Sequence, residues 1–448
     1  MAKRLSIINF VIVSVLVAIG IFLSVCSFKM PFGSTDNFAG FMNAIPLGYD
    51  IGEGRVAVYE CSPTNEEVST LTSDEMNNAV KYVNNALSMF NYSNHQVGIQ
   101  NDNYLRVTVV NDDDSSSILS ALANRIELVI RGDETTEATE YDIEAKYIKK
   151  CSFSYQQSSS SSSDYEYGVL IEFDSIGTKK YSELTKHVVE NKEKGNTVYF
   201  YNAETDEKVG SLSSVNKEVV TGKTFLAKSD LSTESAYNAY ALNIMIGGLD
   251  VKLTEKENSV TSASLGKNAW LAIKLCMLIS FILVNVFMCL RYRDLGLISM
   301  LTSLINAVLY MFFLQTFPSN FFVLTLAGVV GIMLGFLLTI LCHVVVFEKI
   351  RKEYSLGRKI SLAFKLGFKD SLFEVVDICS IGAICSVVLY LIGTVGMKSF
   401  AVTLLVGSVL AIVSSLLITK VFTTWYLPIN HQNEKHLALK KEAGSDEE

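Results

Sequence analysis

Hydrophobic and polar positions are patterned on two length scales along this chain. At the coarse scale, apolar residues gather into six runs, 5–28, 269–290, 295–316, 321–347, 372–395 and 400–425, and a polar stretch from 29 to 268 separates the first from the other five. Each run reaches the roughly 20 residues that a helix needs to cross a bilayer. The pattern predicts a polytopic α-helical membrane protein with six transmembrane helices and a large domain between helices 1 and 2. The first run is longer than the apolar core of a secretory signal, and no small-x-small cleavage site follows it, so it is expected to remain as a helix.

At the fine scale, the polar stretch switches between strand and helix periods. Val56 and Val58 alternate with outward polar residues and predict a strand ending near Cys61. Ser73 offers an N-cap, Asp74 and Glu75 fill the first turn, and Met76, Val80, Val83 and Leu87 recur at helical spacing to about residue 89. "QVGIQ" and "LRVTVV", separated by "NDN", read as a hairpin. A short helix at 117–123 and a strand "IELVI" at 126–130 then complete a split β-α-β pattern of the ferredoxin-like kind, so the domain is expected to be α+β.

Beyond it, "YQQSSSSSSDYEYG" (155–168) is a polar low-complexity tract and reads as a flexible loop. "YGVLIEF", "GTKKYSELTKHVVENK" and "NTVYFYNAE" follow as strand, helix and strand. These divisions predict a base lobe of about 36–131 plus 222–266 and a second lobe of about 140–221. A helix at 232–246 leads through the polar connector 247–266 to the second span.

Charge orients the spans, because Lys and Arg accumulate on cytoplasmic connections. Lys3 and Arg4, Arg291 and Arg293, the group from Lys349 to Lys369, and Lys435, Lys440 and Lys441 fall on one side. Both termini (1–4 and 427–448) are therefore expected in the cytoplasm and 29–268 outside it. Composition agrees: 49% of residues are hydrophobic and 19% charged, and about three quarters of the acidic residues behind the net charge of −8 lie in the exterior stretch. Nucleic acid is excluded as a partner on that ground. Cys61 and Cys151 are the only exterior cysteines, and a disulfide and two free thiols are both open. No metal-ligand spacing, nucleotide loop, nucleophile elbow or HExxH motif occurs, so neither a cofactor nor an enzymatic reaction is expected.

A few ionisable groups interrupt the apolar runs. His343 stands in "LLTILCHVVVFE", on one helical face with Thr339 and Ile340 and five residues before Glu348. It is expected either as a neutral, hydrogen-bonded side chain near water at the cytoplasmic edge or as a proton carrier. Glu348 and Arg351, one turn apart, read as an interfacial charged pair. Asn285 and Asn306 read as polar glue between helices, with lining of a path as the alternative.

Several stretches, in order along nearly the whole chain, resemble one family, the SecD subunits of bacterial SecD–SecF protein-export complexes. "LGYDIGEG" (47–54) is similar to the family's Leu-Gly-Leu-Asp-Leu-x-Gly-Gly turn, keeping Asp50 and Gly54 with Glu53 at the first glycine. "GVLIEFDSIGTKKYSELT" resembles its strand and Gly-x-Lys-x-Phe helix, and "GGLDVKL" and "SASLG" its next two signatures. "FEKIRKEYSLGRKISLAFKLGFKDSLFEVVD" and "GTVGMKSFAVTLLVG" are similar to the membrane half.

The resemblance implies a resistance–nodulation–division membrane fold and a role as accessory subunit of the Sec translocase. Its implied partners are a separate SecF-like half-bundle subunit, the Sec translocon channel, unfolded secreted polypeptides and the lipid bilayer. It also implies proton-driven movement at the outer face. A transporter of lipids or small molecules on the same membrane fold is the alternative. The family's span-four acid falls on Leu341 here, which cannot carry a proton, and its span-five aspartate falls on Asp377, for which a pathway role, a water-exposed cap and a Lys369 partner are all open. Asp50 and Gly54 are expected to shape the turn into the first exterior strand, with contact to substrate as the alternative.

Overall fold

The computed structural model describes residues 2–429 with Leu437 and Leu439, apart from 30–36, 65–70, 91, 93, 135–138, 158–164, 192–195, 214, 319–320 and 394. The core of the expected Ser-rich loop and most of the C-terminal tail thus lie outside the described residues. The chain divides into two compact units, Glu53–Ser262 and the combination of Met1–Gly52 with Ala263–Glu448.

The second of these opens with α1 (Ala2–Val25) and a short ladder of β1 (Phe28–Lys29) on β2 (Asn37–Phe38). The polar unit then starts with β3 (Gly54–Pro63), α2 (Ser73–Met89), β4 (His95–Gln100), β5 (Tyr104–Val110), α3 (Ser115–Ala123), β6 (Leu128–Arg131) and β7 (Ile143–Glu144). It continues with β8 (Ile148–Gln157), β9 (Tyr165–Phe173), α4 (Ser175–Glu190), β10 (Val198–Asn202), β11 (Lys208–Leu212), β12 (Lys223–Ala227), α5 (Glu234–Ile246) and β13 (Val251–Thr261).

One antiparallel sheet has the order β13-β3-β5-β4, with α2 and α3 contributing to its core. That is the ferredoxin-like arrangement the pattern predicted, with one strand exchanged: β13 supplies the fourth strand, and the segment at 126–130 does not. The reason lies in burial. All four residues of β6 are buried, so it occupies an interior position, between β10 and β7 in the sheet β11-β10-β6-β7. β13, expected as a connector, is an eleven-residue strand because Val251 and Leu253 turn inward while its many charges stay on the other face, with a register shift between Glu255 and Glu257.

The base and second lobes are accordingly redrawn. β6 and β12, both expected in the base lobe, belong to the second core, with β8, β9 and α4. Helix α2 runs to Met89 as expected, but its cap is Thr72 rather than Ser73. Thr72 Oγ1 accepts from the Glu75 amide, and Glu75 accepts from the Thr72 amide at 2.7 Å. Met76, Val83 and Leu87 are buried beneath it, each stabilising the fold by about 1.5–3 kcal/mol. Cys61 and Cys151 sit in different cores as free thiols.

The other unit holds the remaining helices, α6 (Ala269–Tyr292), α7 (Asp294–Thr316), α8 (Leu326–Ser355), α9 (Ile360–Ile392), α10 (Val395–Ile412) and α11 (Thr419–Ile429). A π-helical turn, Val413–Ile418, joins the last two into one span. Among the described residues, six segments are long and apolar enough to cross a membrane, as the hydropathy pattern required. The basic connection after the fourth span differs from expectation. α8 continues to Ser355 and α9 already begins at Ile360, since Ile360, Phe364 and Phe368 bury one stripe of an amphipathic extension. Gly357, at φ +81°, makes the turn between them. Close packing of α8 on α10 depends on glycine, for a Cβ on Gly407 would lie 2.6 Å from the Gly335 Cα.

Candidate functional site

Among the sequence-predicted residues, His343 has the most elaborate surroundings. It is completely buried on α8, facing α7 and α11. Nε2 lies 2.8 Å from Thr419 Oγ1 and 3.2 Å from Thr302 Oγ1, and Nδ1 lies 3.1 Å from Ser299 Oγ. The two threonine protons are already used: Thr419 donates to the Ser414 carbonyl at 2.8 Å, and Thr302 to the carbonyls of Ser299 and Ile298 at 3.0 and 3.1 Å. Both Oγ1 atoms therefore offer only lone pairs, so Nε2 carries the ring hydrogen and Nδ1 accepts from Ser299. The expected water at the cytoplasmic edge is replaced by three hydroxyls.

The π turn makes this possible. Its i→i+5 bonding lets the Ser414 carbonyl receive both the backbone N–H and the hydroxyl of Thr419, five residues on. The seam extends along α7 away from the histidine. Asn306 Nδ2 donates to Thr339 Oγ1 at 3.1 Å, the interhelical bond expected of it, and Tyr310 donates to the Thr403 carbonyl. Ser299, Thr302, Ser303, Asn306 and Tyr310 are all buried at steps of three and four residues. That spacing leaves little trace in a hydropathy pattern, because hydroxyls in an apolar run depress hydropathy only slightly. Asn285 does not act as glue: its amide donates to its own helix at the Phe281 carbonyl, 2.8 Å away.

Leu341 and Asp377 belong elsewhere. Leu341 is 44% exposed on the opposite side of α8 from His343. Asp377 is exposed on α9, seventeen residues after Ile360, and pairs neither with Lys369 nor with any other described residue. Lys349 instead reaches Glu374. Between α8 and α9 the inward neighbours are Cys342 and Cys379, with sulfurs 3.5 Å apart. The structure thus separates the two proton-path candidates, His343 inward and Asp377 outward.

Glu348 and Arg351 form the expected pair at 3.0 Å, inside a larger cluster. Tyr292 donates to Glu348 at 2.9 Å, and the Arg351 guanidinium lies over the Tyr292 ring, 4.4 Å from its centre, while donating to the Arg291 carbonyl. This cluster ties the end of α6 to α8.

Asp50 has a role the sequence reading missed. Its Oδ2 accepts from the Leu326 amide at 2.6 Å, while Thr325 Oγ1 accepts from the Gly328 amide, so two side chains cap the start of α8. The "LGYD" turn is held there by a parallel bridge between Leu47 and Leu324. It shapes the entry to a membrane helix, whereas Gly54 starts β3, opposite Val110 and Thr261. A lateral cleft of about 540 Å³ also opens among α1, α6, α7 and α8, with Ser24, Lys274, Ser280, Asn285 and Ser303 in a mostly apolar wall.

Six membrane-length helices with a ferredoxin-like α+β unit inserted after the first define a polytopic membrane protein of mixed architecture. Residues 245–428 match the family model described as "Protein export membrane protein SecD/SecF, C-terminal". The chain is 28% identical to the protein translocase subunit SecD of Rickettsia typhi over 342 residues, covering 72% of this chain and 62% of that one. It is 25% identical to the SecDF subunit of Bacillus subtilis, over 86% of this chain and 51% of that one. It is also 25% identical to the SecD of Sebaldella termitidis, over 89% and 94% of the two. The chain thus spans about half to two thirds of the length of several relatives it matches. The fold matches the crystal structure of SecDF in its super-membrane-facing form with a TM-score of 0.71 at 18% identity, over 96% of this chain and 58% of that one. The chain is thus similar to SecD protein-export membrane proteins over most of its length.

Proposed function

We propose that this chain is an accessory subunit of Sec-dependent protein export in the bacterial cytoplasmic membrane, without enzymatic chemistry of its own. It works with a SecF-like half-bundle and the translocon channel on unfolded secreted polypeptides. Both termini lie in the cytoplasm and the unit Glu53–Ser262 lies outside, in keeping with the Lys and Arg distribution.

The observation that carries the partner is Asp377. A carboxylate on the lateral surface of a membrane helix, five residues inside the apolar run, is costly against lipid unless protein or a water-filled path covers it. The face of α8 that bears Leu341 is likewise exposed, and the second half of a pseudo-symmetric bundle fits on this side. Where the family acid would meet that partner, this chain presents leucine, so proton coupling rests on the partner's groups and His343 serves as a packing element.

Photo-crosslinking tests both parts. A probe at Leu341 should trap a SecF-like polypeptide, and probes on the surface of Glu53–Ser262 should trap a secretory protein arrested in transit. Absence of both adducts in cells that express all components would overturn the reading. Leu341→Asp should leave export unchanged or raise it, and a clear fall would refute the placement of coupling in the partner. The lateral cleft favours a second reading, movement of lipids or small molecules. A deletion strain with altered envelope lipids and normal secretion would establish that alternative.

A further inference from the structure

The lateral cleft is walled by the N-terminal half of α6 and by α1, α7 and α8, and its polar groups are sorted by height. Lys274 lines it near the start of α6, and Asn285 lines it on the same helix, about 16 Å further along the axis. That is about half of the roughly 30 Å hydrocarbon core of a bilayer, so the cleft is one leaflet deep. Between the two levels the wall is apolar apart from Ser280, with Leu278 and Phe281 of α6, Ala307 of α7 and Phe336 of α8. The Ser24 hydroxyl is turned to the Gly20 carbonyl of its own helix at 2.8 Å. At the floor, Asn285 Oδ1 and the Ser303 hydroxyl have no partner, yet both atoms are covered, so an occupant meets apolar surface there as well.

The dimensions decide what fits. Spread over about 16 Å, the volume of 540 Å³ leaves a mean cross-section of about 33 Å². A helix 10 Å across covers about 80 Å², so a partner's helix is too thick for the cleft and a hydrocarbon chain is not. The gap separates α1 from α6. α1 is held elsewhere, with Gly20 beside Val308 of α7 and the Phe10 ring centre 5.8 Å from that of Phe422 on α11. Among the described residues, no hydrogen bond or ring contact joins α1 to α6. Hydrocarbon entering the cleft exchanges one apolar surrounding for another, so a tail alone gives no selectivity. Selection falls to the rim. Lys274 Nζ lies 5.4 Å from the Trp270 ring centre and pairs with no carboxylate among the described residues. A lysine at the height of the headgroups attracts lipids of net negative charge.

We infer that the cleft holds one anionic phospholipid, with its phosphate on Lys274 and an acyl chain laid along α6 down to the level of Asn285. The lipid fills the gap between α1 and α6 and is a resident of the fold, so the site does not depend on whether the chain moves lipids. Its placement in the outer leaflet rests on the orientation proposed above, while the binding chemistry stands apart from it.

Trp270 reports on the site, since Trp425 is the only other tryptophan. The full chain carrying Trp425→Phe is reconstituted in phosphatidylcholine vesicles that contain either brominated phosphatidylglycerol or brominated phosphatidylcholine. Trp270 fluorescence should be quenched with about fivefold preference for the anionic lipid, the effect of one lysine near a membrane surface. Lys274→Arg should keep the preference, and Lys274→Gln should bring the two lipids level. Each ratio compares two lipids on the same protein, so a loss of stability does not imitate the result. Native mass spectrometry of the unaltered chain should show one retained phosphatidylglycerol, and Ala307→Phe, which fills the cleft away from the rim, should lower the retained fraction about threefold or more. Equal quenching by the two lipids, a preference that survives Lys274→Gln, or full retention in Ala307→Phe would each overturn the inference. So would loss of the preference when the SecF-like subunit is added, which would identify that partner as the occupant. A Lys267→Cys chain that an impermeant maleimide labels only in inverted vesicles would refute the orientation and leave the lipid site standing in the other leaflet.

Discussion

Replacing His343 by leucine separates a packing histidine from a proton carrier. The substitution keeps side-chain volume nearly constant in a site with no exposure, so no large cavity is created. What it removes is three hydrogen-bond contacts, at 2.8, 3.1 and 3.2 Å. Thr302 and Thr419 keep their donations to backbone carbonyls, so only the Ser299 hydroxyl loses the atom it donates to. A serine in a helix can turn to the carbonyl four residues back, which limits the cost. Hydrogen bonds between membrane helices average about 0.6 kcal/mol each, so the expected loss is about 2 kcal/mol. Unfolding of the purified protein in mixed micelles with increasing SDS measures it, and export of a reporter should stay within twofold of the wild type. A variant of near-normal stability that no longer supports export would refute the reasoning and make His343 a working proton carrier.

Three other outcomes follow from the geometry. Asp50→Ala should destabilise the chain by about 0.5–2 kcal/mol through loss of a cap on α8, with Asp50→Asn retaining most of the stability, as read by thermal melting in micelles. Burial pushes the Cys61 thiol up to about 11 and raises that of Cys151 further, so neither should react with maleimide at pH 7 until SDS unfolds the chain, and non-reducing gels should show no disulfide between them. Burial also holds His95 below its usual value of 6.5, against hydrogen bonds to the Tyr92 carbonyl and to Asn84 that raise it. The unfolded chain therefore binds that proton more readily, and the stability tied to His95 is full above about pH 6.5 and declines as pH falls below it. Hydrogen exchange in β4 and β5 should accelerate between pH 7 and 5.5 after correction for intrinsic rates, and His95→Gln should flatten the change.

The sheet order shows where local pattern stops being informative. Alternation located β3, α2, β4 and β5 because each has one buried face and one wet face. β6 and β13 misled for opposite reasons. β6 is buried on both faces, so it carries no alternation to show which sheet it joins. β13 is so polar that only Val251 and Leu253 report its inner face, and its pairing with β3 joins residues nearly two hundred positions apart. The start of α9 was placed late for a related reason, since hydropathy averages the stripe of Ile360, Phe364 and Phe368 with the lysines between them.

The six spans and the inserted polar unit were determined by the sequence alone, because membrane thickness imposes a length of apolar chain that no tertiary contact can alter. The surroundings of single polar residues were decided by the tertiary structure. His343 looked like a residue near the water's edge until α7 and the π turn supplied three hydroxyls. Asp50 looked like part of a strand turn until it met the start of α8. Asp377 turned outward to a surface that a partner can cover. A side chain's hydrogen bonds depend on which helix lies beside it and at what height, and that relation is created only when distant segments pack.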